Sequence, residues 1–428
     1  MPSRPSEFPA SLPLSASGLR LLPDAEARAL AARFDLTALP AGFHADPYPV
    51  YHALRDFTPV HRMASGSVLI TRWQDLDAVY RDAEAFCSDK RAEFAPKFGA
   101  DSPLFAHHTT SLVFNDGAQH TRVRRILAGA LTPRAIHELE PAVAQLVDGL
   151  LARMEARGSA DLIEDFAAAI PVEVIGNLLA VPRDERGPLR AWSLAILGAL
   201  EPAPSAEQLA RGNTAVREFT VYLARLVAER RAHPGDPARD VLTRLILGDA
   251  EGQLSEHELL QNCVFILNAG HETTTNLIGN ALVLLCEWPG ERARLLREPG
   301  AIASAVEEFL RFESSNQLGN RRTTRALTLA GTELPAGAGV TLAIGAANRD
   351  PARFERPDVL DLGRTPNRHL AFGAGPHQCA GMNVARLEGR IAIGRFLARF
   401  PKFALAAPPT RGGRARFRGF SAIPVALG

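Results

Sequence analysis

Apolar residues recur at helical spacing along most of this chain from Pro47 onward. The runs "PYPVYHALRD" (47–56), "WQDLDAVYRD" (73–82) and "HTRVRRILAGAL" (120–131) each predict a helix. "AIHELEPAVAQLVDGLLARMEARG" predicts a longer one over 135–158, ended by Gly158, and another spans about 214–231. Strand-like patterns are short and scattered: "SVLITR" (67–72), the stretch 326–344 and the tail "SAIPVALG" (421–428). The proline-rich residues 1–46 read as an arm laid over the surface, and 47–428 as one large, mainly α unit with small sheets. Two stretches, 87–111 and 345–378, lack periodicity and are expected to be loops. Structureless segments of that length inside a compact protein are usually functional.

One pattern breaks its own rule. Residues 255–288, "SEHELLQNCVFILNAGHETTTNLIGNALVLLCEW", predict a single helix, opened by a Ser255–Glu258 capping box and ended by Pro289. Its flanks are almost wholly apolar, so it should be buried on most sides. Its centre, "NAGHETTTN", holds His271, Glu272, Thr273 and Thr274, which need partners once buried. The bland account is one solvated turn. The sharper one is a helix opened at Ala269–Gly270 to admit a flat ligand and a water, with an acid and an alcohol beside the gap.

Composition narrows the classes. The chain has 428 residues, 46% hydrophobic and 22% charged, with net charge +1 and no basic tract of the nucleic-acid kind. The four cysteines form no CxxC pair, which favours a reduced, cytoplasmic setting over a secreted one. The stretch 11–22 is too short and interrupted for a membrane span.

The segment "HLAFGAGPHQCAG" (369–381) crowds Gly373, Gly375 and Gly381 around Cys379. A hydrolase nucleophile could use His377 as base, but nothing else suggests an oxyanion hole. A phosphate loop fails for want of GxxxxGK. A metal-bound thiolate accounts for the surroundings: glycines let the chain aim N–H groups at an anionic sulfur, and the following run "AGMNVARLEGRIAIGRFLARF" is a helix whose positive end sits there. One axial protein ligand implies a macrocycle, and thiolate-bound haem is the known case.

These residues resemble a family. "FGAGPHQCAG" is similar to the cysteine-loop signature of cytochrome P-450 monooxygenases. "AGHETT" (269–274) resembles the family's oxygen-binding groove, "EFLR" (308–311) its Glu-x-x-Arg helix and "HTRVR" (120–124) its haem-propionate helix. "ANRDPARFERPDVLDLGRTPNRHLAFG" (347–373) looks like the soluble bacterial branch. The likeness runs from about Pro47 to Pro424 in the family's order.

The resemblance implies a P-450 fold, with haem b buried between the long helix and the cysteine loop. Cys379 would be the iron ligand, with Phe372 and Gly373 shielding the sulfur and Ala269 and Gly270 beside the haem. His120, Arg124, Arg321 and His377 would meet the propionates. Thr273 and Glu272 would form the acid–alcohol pair that delivers protons, and Glu308 and Arg311, with Arg364, a buried structural cluster. By position Phe265, Asn268, Ala269, Asn316, Gly319 and Phe417 would line the substrate pocket, capped by 87–111. The reaction implied is insertion of one oxygen atom from O2 into a small or medium organic substrate, with electrons from an external ferredoxin and its reductase. Arg122 and Arg125 are candidates for the docking patch, and neither nucleic acid nor membrane is an expected partner. A haem-thiolate gas sensor without turnover is the alternative, against which the Glu272–Thr273 pair speaks. Glu272 stands where aspartate is commoner, Ala380 where leucine is frequent and Ser315 where proline is frequent.

Overall fold

In the computed structural model, residues 14–15, 18–237, 240–248 and 252–428 are described. The run 11–22 and the segment 1–46 thus lie partly outside the described residues. The chain divides into two compact units. The first comprises Met1–Cys87, Asn280–Gln378 and Thr410–Ser421; the second comprises Ser88–Gly279, Cys379–Pro409 and Ala422–Gly428.

The first unit is built on a five-stranded sheet, in the order Val60–Arg62, Val68–Ile70, Gly339–Ala343, Leu318–Thr323, Phe86–Cys87. Val68–Ile70 runs parallel to Gly339–Ala343, with Leu69 opposite Thr341, and the other pairs are antiparallel. The stretch 326–344 divides into a ribbon, Leu327–Leu329 and Thr332–Leu334, before the sheet strand begins. Ala330 and Gly331, both at positive φ, make the tight turn. The helix Tyr48–Phe57 is buried along nearly its whole length. Part of the expected arm folds into its core. Helix Asp24–Arg33 and its flanks contribute Leu22, Leu30, Ala31, Phe34 and Phe43 to one apolar cluster with Tyr51 and Leu54.

The second unit is mostly helical. Helices Pro133–Glu155 and Met382–Arg399 pack together, as do Leu189–Gly198 and Ala206–Ala232, where Trp192 stacks on Phe219 at 4.9 Å. A small sheet joins Ser159–Asp161, Pro424–Ala426 and Ala404–Leu405. Helix Ala206–Ala232 begins eight residues before the expected 214. Its start is a capping box in which Ser205 Oγ accepts from the Gln208 N–H (3.1 Å) and Gln208 Oε1 accepts from the Ser205 N–H (2.7 Å).

Residues 87–111, expected as a loop, contain helices Arg91–Phe98 and Pro103–Thr110. Each is too short to show a clear period. The second is set by Pro103 at its first position and by Ser102 Oγ, which accepts from the Phe105 N–H. Phe94 and Phe98 are buried against His108 and Phe114. The stretch 345–378 is largely irregular, as expected.

The long helix spans Glu256–Glu287. Ser255 and Glu258 form the expected box, the Glu258 N–H donating to Ser255 Oγ and the Ser255 N–H to Glu258 Oε2. No helix among the described residues is long and apolar enough to cross a membrane.

Candidate active site

In the first unit, Glu308 and Arg311 lie one helical turn apart and are both fully buried. Arg311 grips the carboxylate with two bonds of 2.7 Å, Nε to Oε2 and Nη2 to Oε1. Arg364 Nε and Asn367 Nδ2 add 3.2 and 3.0 Å bonds, and the Asp361 N–H donates at 3.0 Å. A buried charge with this many donors has no lone pair left wanting. Arg311 also donates to the Asn348 carbonyl, and Asn348 Oδ1 accepts from the Leu370 N–H at 2.7 Å. The cluster thereby fixes the start of the cysteine loop.

The loop's glycines answer to a residue the sequence reading missed. Gly373 and Gly375 have φ of +64° and +67°, a conformation that disfavours any side chain. A Cβ on Gly375 would also sit 2.2 Å from the Tyr80 carbonyl oxygen, and one on Gly319 would sit 2.5 Å from Tyr80 Oη. Arg321 lays its guanidinium 5.1 Å from the same ring. Tyr80 was legible only as an apolar position on a helix. Gly319, expected to line a pocket, meets Tyr80 in its side-chain direction. Phe372 and His377 are half-buried, His377 in the single turn Gly375–His377. Asn316 and Phe417 form an isolated antiparallel bridge.

In the second unit, Cys379 precedes helix Met382–Arg399, and its side chain retains accessible surface. Enough protein surrounds it that burial pushes the thiol pKa up, while the Gly381 N–H and the charges of Arg124 and Arg386 pull it down. Burial outweighs these pulls, so the thiol stays protonated on its own, and a coordinated metal would ionise it outright. Arg124 is thus brought to the sulfur. His120, on the same helix Gly117–Ala130, is buried. Arg122 is engaged by Glu258 and donates to the Gln253 carbonyl, so it does not stand free as a docking cation.

Midway along the long helix the burial pattern opens. Phe265, Ile266, Gly270 and Thr273 are half-buried and Ala269 is exposed, between flanks that are buried. Thr273 Oγ1 donates to the Ala269 carbonyl at 2.8 Å and Thr275 Oγ1 to that of His271 at 3.0 Å. Having given its proton to the backbone, Thr273 keeps its oxygen lone pairs available. Glu272 is buried. Gly270, expected beside the ligand, is required for another reason: an added Cβ would lie 2.3 Å from Ile175 Cδ1 on helix Ala169–Leu178.

Asn268 Nδ2 contacts His107 Nε2 at 3.2 Å, and His107 Nδ1 contacts Gln261 Oε1 at 3.1 Å. Burial pushes the His107 pKa down to about 4, against a smaller upward pull from Gln261, so the ring is neutral at neutral pH. A second missed residue is Glu388, a buried carboxyl on helix Met382–Arg399. Burial pushes its pKa up to about 8, opposed by a hydrogen bond from Thr274.

Comparison with known proteins decides the family. The cytochrome P-450 family model matches residues 205–406. The vitamin D(3) 25-hydroxylase of Pseudonocardia autotrophica is 38% identical, over 90% of this chain and 95% of that protein. The chain belongs to the cytochrome P-450 family. The P-450 monooxygenase PikC of Streptomyces venezuelae is 36% identical, over 91% of this chain and 93% of its own. P450BioI, solved with an acyl carrier protein bearing hexadec-9Z-enoic acid, superposes with a TM-score of 0.86 at 32% identity, covering 91% of this chain and all of that one. The protein is a P-450 monooxygenase with the P-450 fold, and the family's cofactor is haem b. The residues fit that group: a thiol with one N–H bond, two nearby cations, and a helix face left open at Ala269.

Proposed function

We propose that this P-450 inserts one oxygen atom from O2 into a small or medium organic substrate inside the cell, with electrons from an external ferredoxin and its reductase. The observation that carries the reading is the Cys379 sulfur, flanked by the Gly381 N–H and the charges of Arg124 and Arg386. Cys379 Sγ would hold the haem iron, and His120, Arg124, Arg321 and His377 would hold the propionates, with Phe372 and Gly373 beside the sulfur. Bound haem supplies reductive activation of dioxygen.

The chain's own residues handle water and protons. Thr273 Oγ1, its proton committed to the Ala269 carbonyl, accepts a hydrogen bond from a proton-bearing group on the open helix face. Glu272, one residue away, passes protons towards it. By the family resemblance Phe265, Asn268 and Ala269 would flank the substrate. The likeness to a vitamin D(3) 25-hydroxylase supports an apolar substrate.

The reduced, carbon monoxide-treated protein should show the red-shifted absorption band of a thiolate-bound haem, and Cys379→Ser should lose it. A band at the position typical of histidine ligation would defeat the assignment. Thr273→Ala should keep the band yet divert roughly tenfold more electrons to hydrogen peroxide per product formed. Unchanged coupling in that variant would remove Thr273 from the proton path.

A further inference from the structure

Gly319 and Arg321 stand two residues apart on strand Leu318–Thr323 and so share one face of the sheet. Both meet the same side chain. Tyr80, on helix Trp73–Arg81, is 7% exposed, and an added Cβ on Gly319 would stand 2.5 Å from its Oη. Glycine at 319 thus leaves room for the ring. The Arg321 guanidinium carbon then lies 5.1 Å from the ring centroid, while its Nη1 donates to the Asn320 carbonyl at 2.8 Å. Burial pushes the phenol pKa up against the pull of Arg321 and Arg416, so Arg321 meets a neutral ring and not a phenolate.

Tyr80 also reaches the cysteine loop. Its Cε1 would be 3.7 Å from a Cβ on Gly373, and its carbonyl oxygen 2.2 Å from one on Gly375, where the turn Gly375–His377 begins. Arg321 and His377, both assigned above to the propionates, are thereby set in register by one residue. A guanidinium laid on an aromatic ring and tied to a carbonyl loses most of the freedom of its long side chain. We propose that Tyr80 is a positioning residue of this P-450: its ring holds the Arg321 guanidinium in place for a haem propionate, and the charge so held raises the haem's reduction potential. A fixed cation favours the ferrous state because that state carries one more electron. This inference rests on the propionate assignment of Arg321 and adds what keeps that cation where it acts.

The test is a spectroelectrochemical titration of the ferric–ferrous couple in the holoenzyme. Tyr80→Leu should shift the equilibrium about threefold towards ferric, whereas Tyr80→Phe, which keeps the ring, should match the native protein. Arg321→Gln should shift it at least as far, and adding Tyr80→Leu to that variant should shift it no further. A residue needed only for folding would not move the potential of the folded holoenzyme. Should Tyr80→Leu fail to fold, Gly319→Ala gives an independent reading. Its methyl group pushes the ring away through Oη, so the potential should fall in the native background and not in Tyr80→Phe. A potential unmoved by Tyr80→Leu or by Gly319→Ala, or shifts that add in the double variant, overturns the proposal. If Arg321→Gln itself leaves the potential unmoved, the propionate assignment falls with it, so the two failures are distinguishable.

Discussion

Glu308 and Glu388 are both buried glutamates on helices, one in each compact unit, and they are met by very different sets of donors. Glu308 faces two arginines, an asparagine amide and a backbone N–H. Glu388 faces one threonine hydroxyl, and burial holds its carboxyl at about 8. Depth is the same; the donor count differs. The donor-rich glutamate is suited to locking a loop, while the one with a single donor can hold a proton at neutral pH.

The largest expected effect breaks the first member of the pair. Glu308→Ala leaves Arg311 buried and unpaired, which should cost about 3–5 kcal/mol in chemical denaturation and impair haem retention. A loss under about 1 kcal/mol would show that the cluster is not the lock on the cysteine loop. The second member gives a pH effect. The folded pKa of Glu388 lies above its unfolded value of 4.5, so its stabilisation is fully present below pH 4.5 and is lost as pH rises through about 8. Denaturation midpoints should therefore fall across that window, by up to about 1.4 kcal/mol per pH unit, and Glu388→Gln should flatten the dependence. A slope that persists in Glu388→Gln would assign it to another group.

A packing control is smaller. Gly270→Ala should cost about 1–3 kcal/mol by overpacking against Ile175, and Ile175→Ala should relieve part of it. Equal cost in both backgrounds would mean the two do not touch. Smallest is Arg122→Ala, which removes a half-exposed pair with Glu258 and should change stability by about 1 kcal/mol or less.

Much of this was legible in the sequence, for identifiable reasons. The long helix, its capping box and its polar centre follow from period and punctuation, while the Glu308–Arg311–Arg364 cluster was legible only through the family resemblance. Helices Arg91–Phe98 and Pro103–Thr110 were missed because eight residues held by a cap and an aromatic cluster carry little periodicity. Tyr80 and Glu388 were missed because their roles depend on neighbours more than a hundred residues away in sequence. At Gly270 and Gly319 the groups nearest the side-chain direction are Ile175 and Tyr80, which no local pattern names. A glycine announces that something comes close, but not what.

The ring and carbonyl of Tyr80 press on Gly319 and Gly375, and the ring touches the side-chain direction of Gly373. Gly319 and Gly373, more than fifty residues apart, thus share one aromatic ring, while Gly375 answers to the backbone of Tyr80 and Arg81. A smaller residue at 80 would leave Gly319 and Gly373 unsupported at once, and a bulkier residue at 319 would evict the ring from 373. Natural or laboratory variation at 80, 319 and 373 should therefore travel as a group.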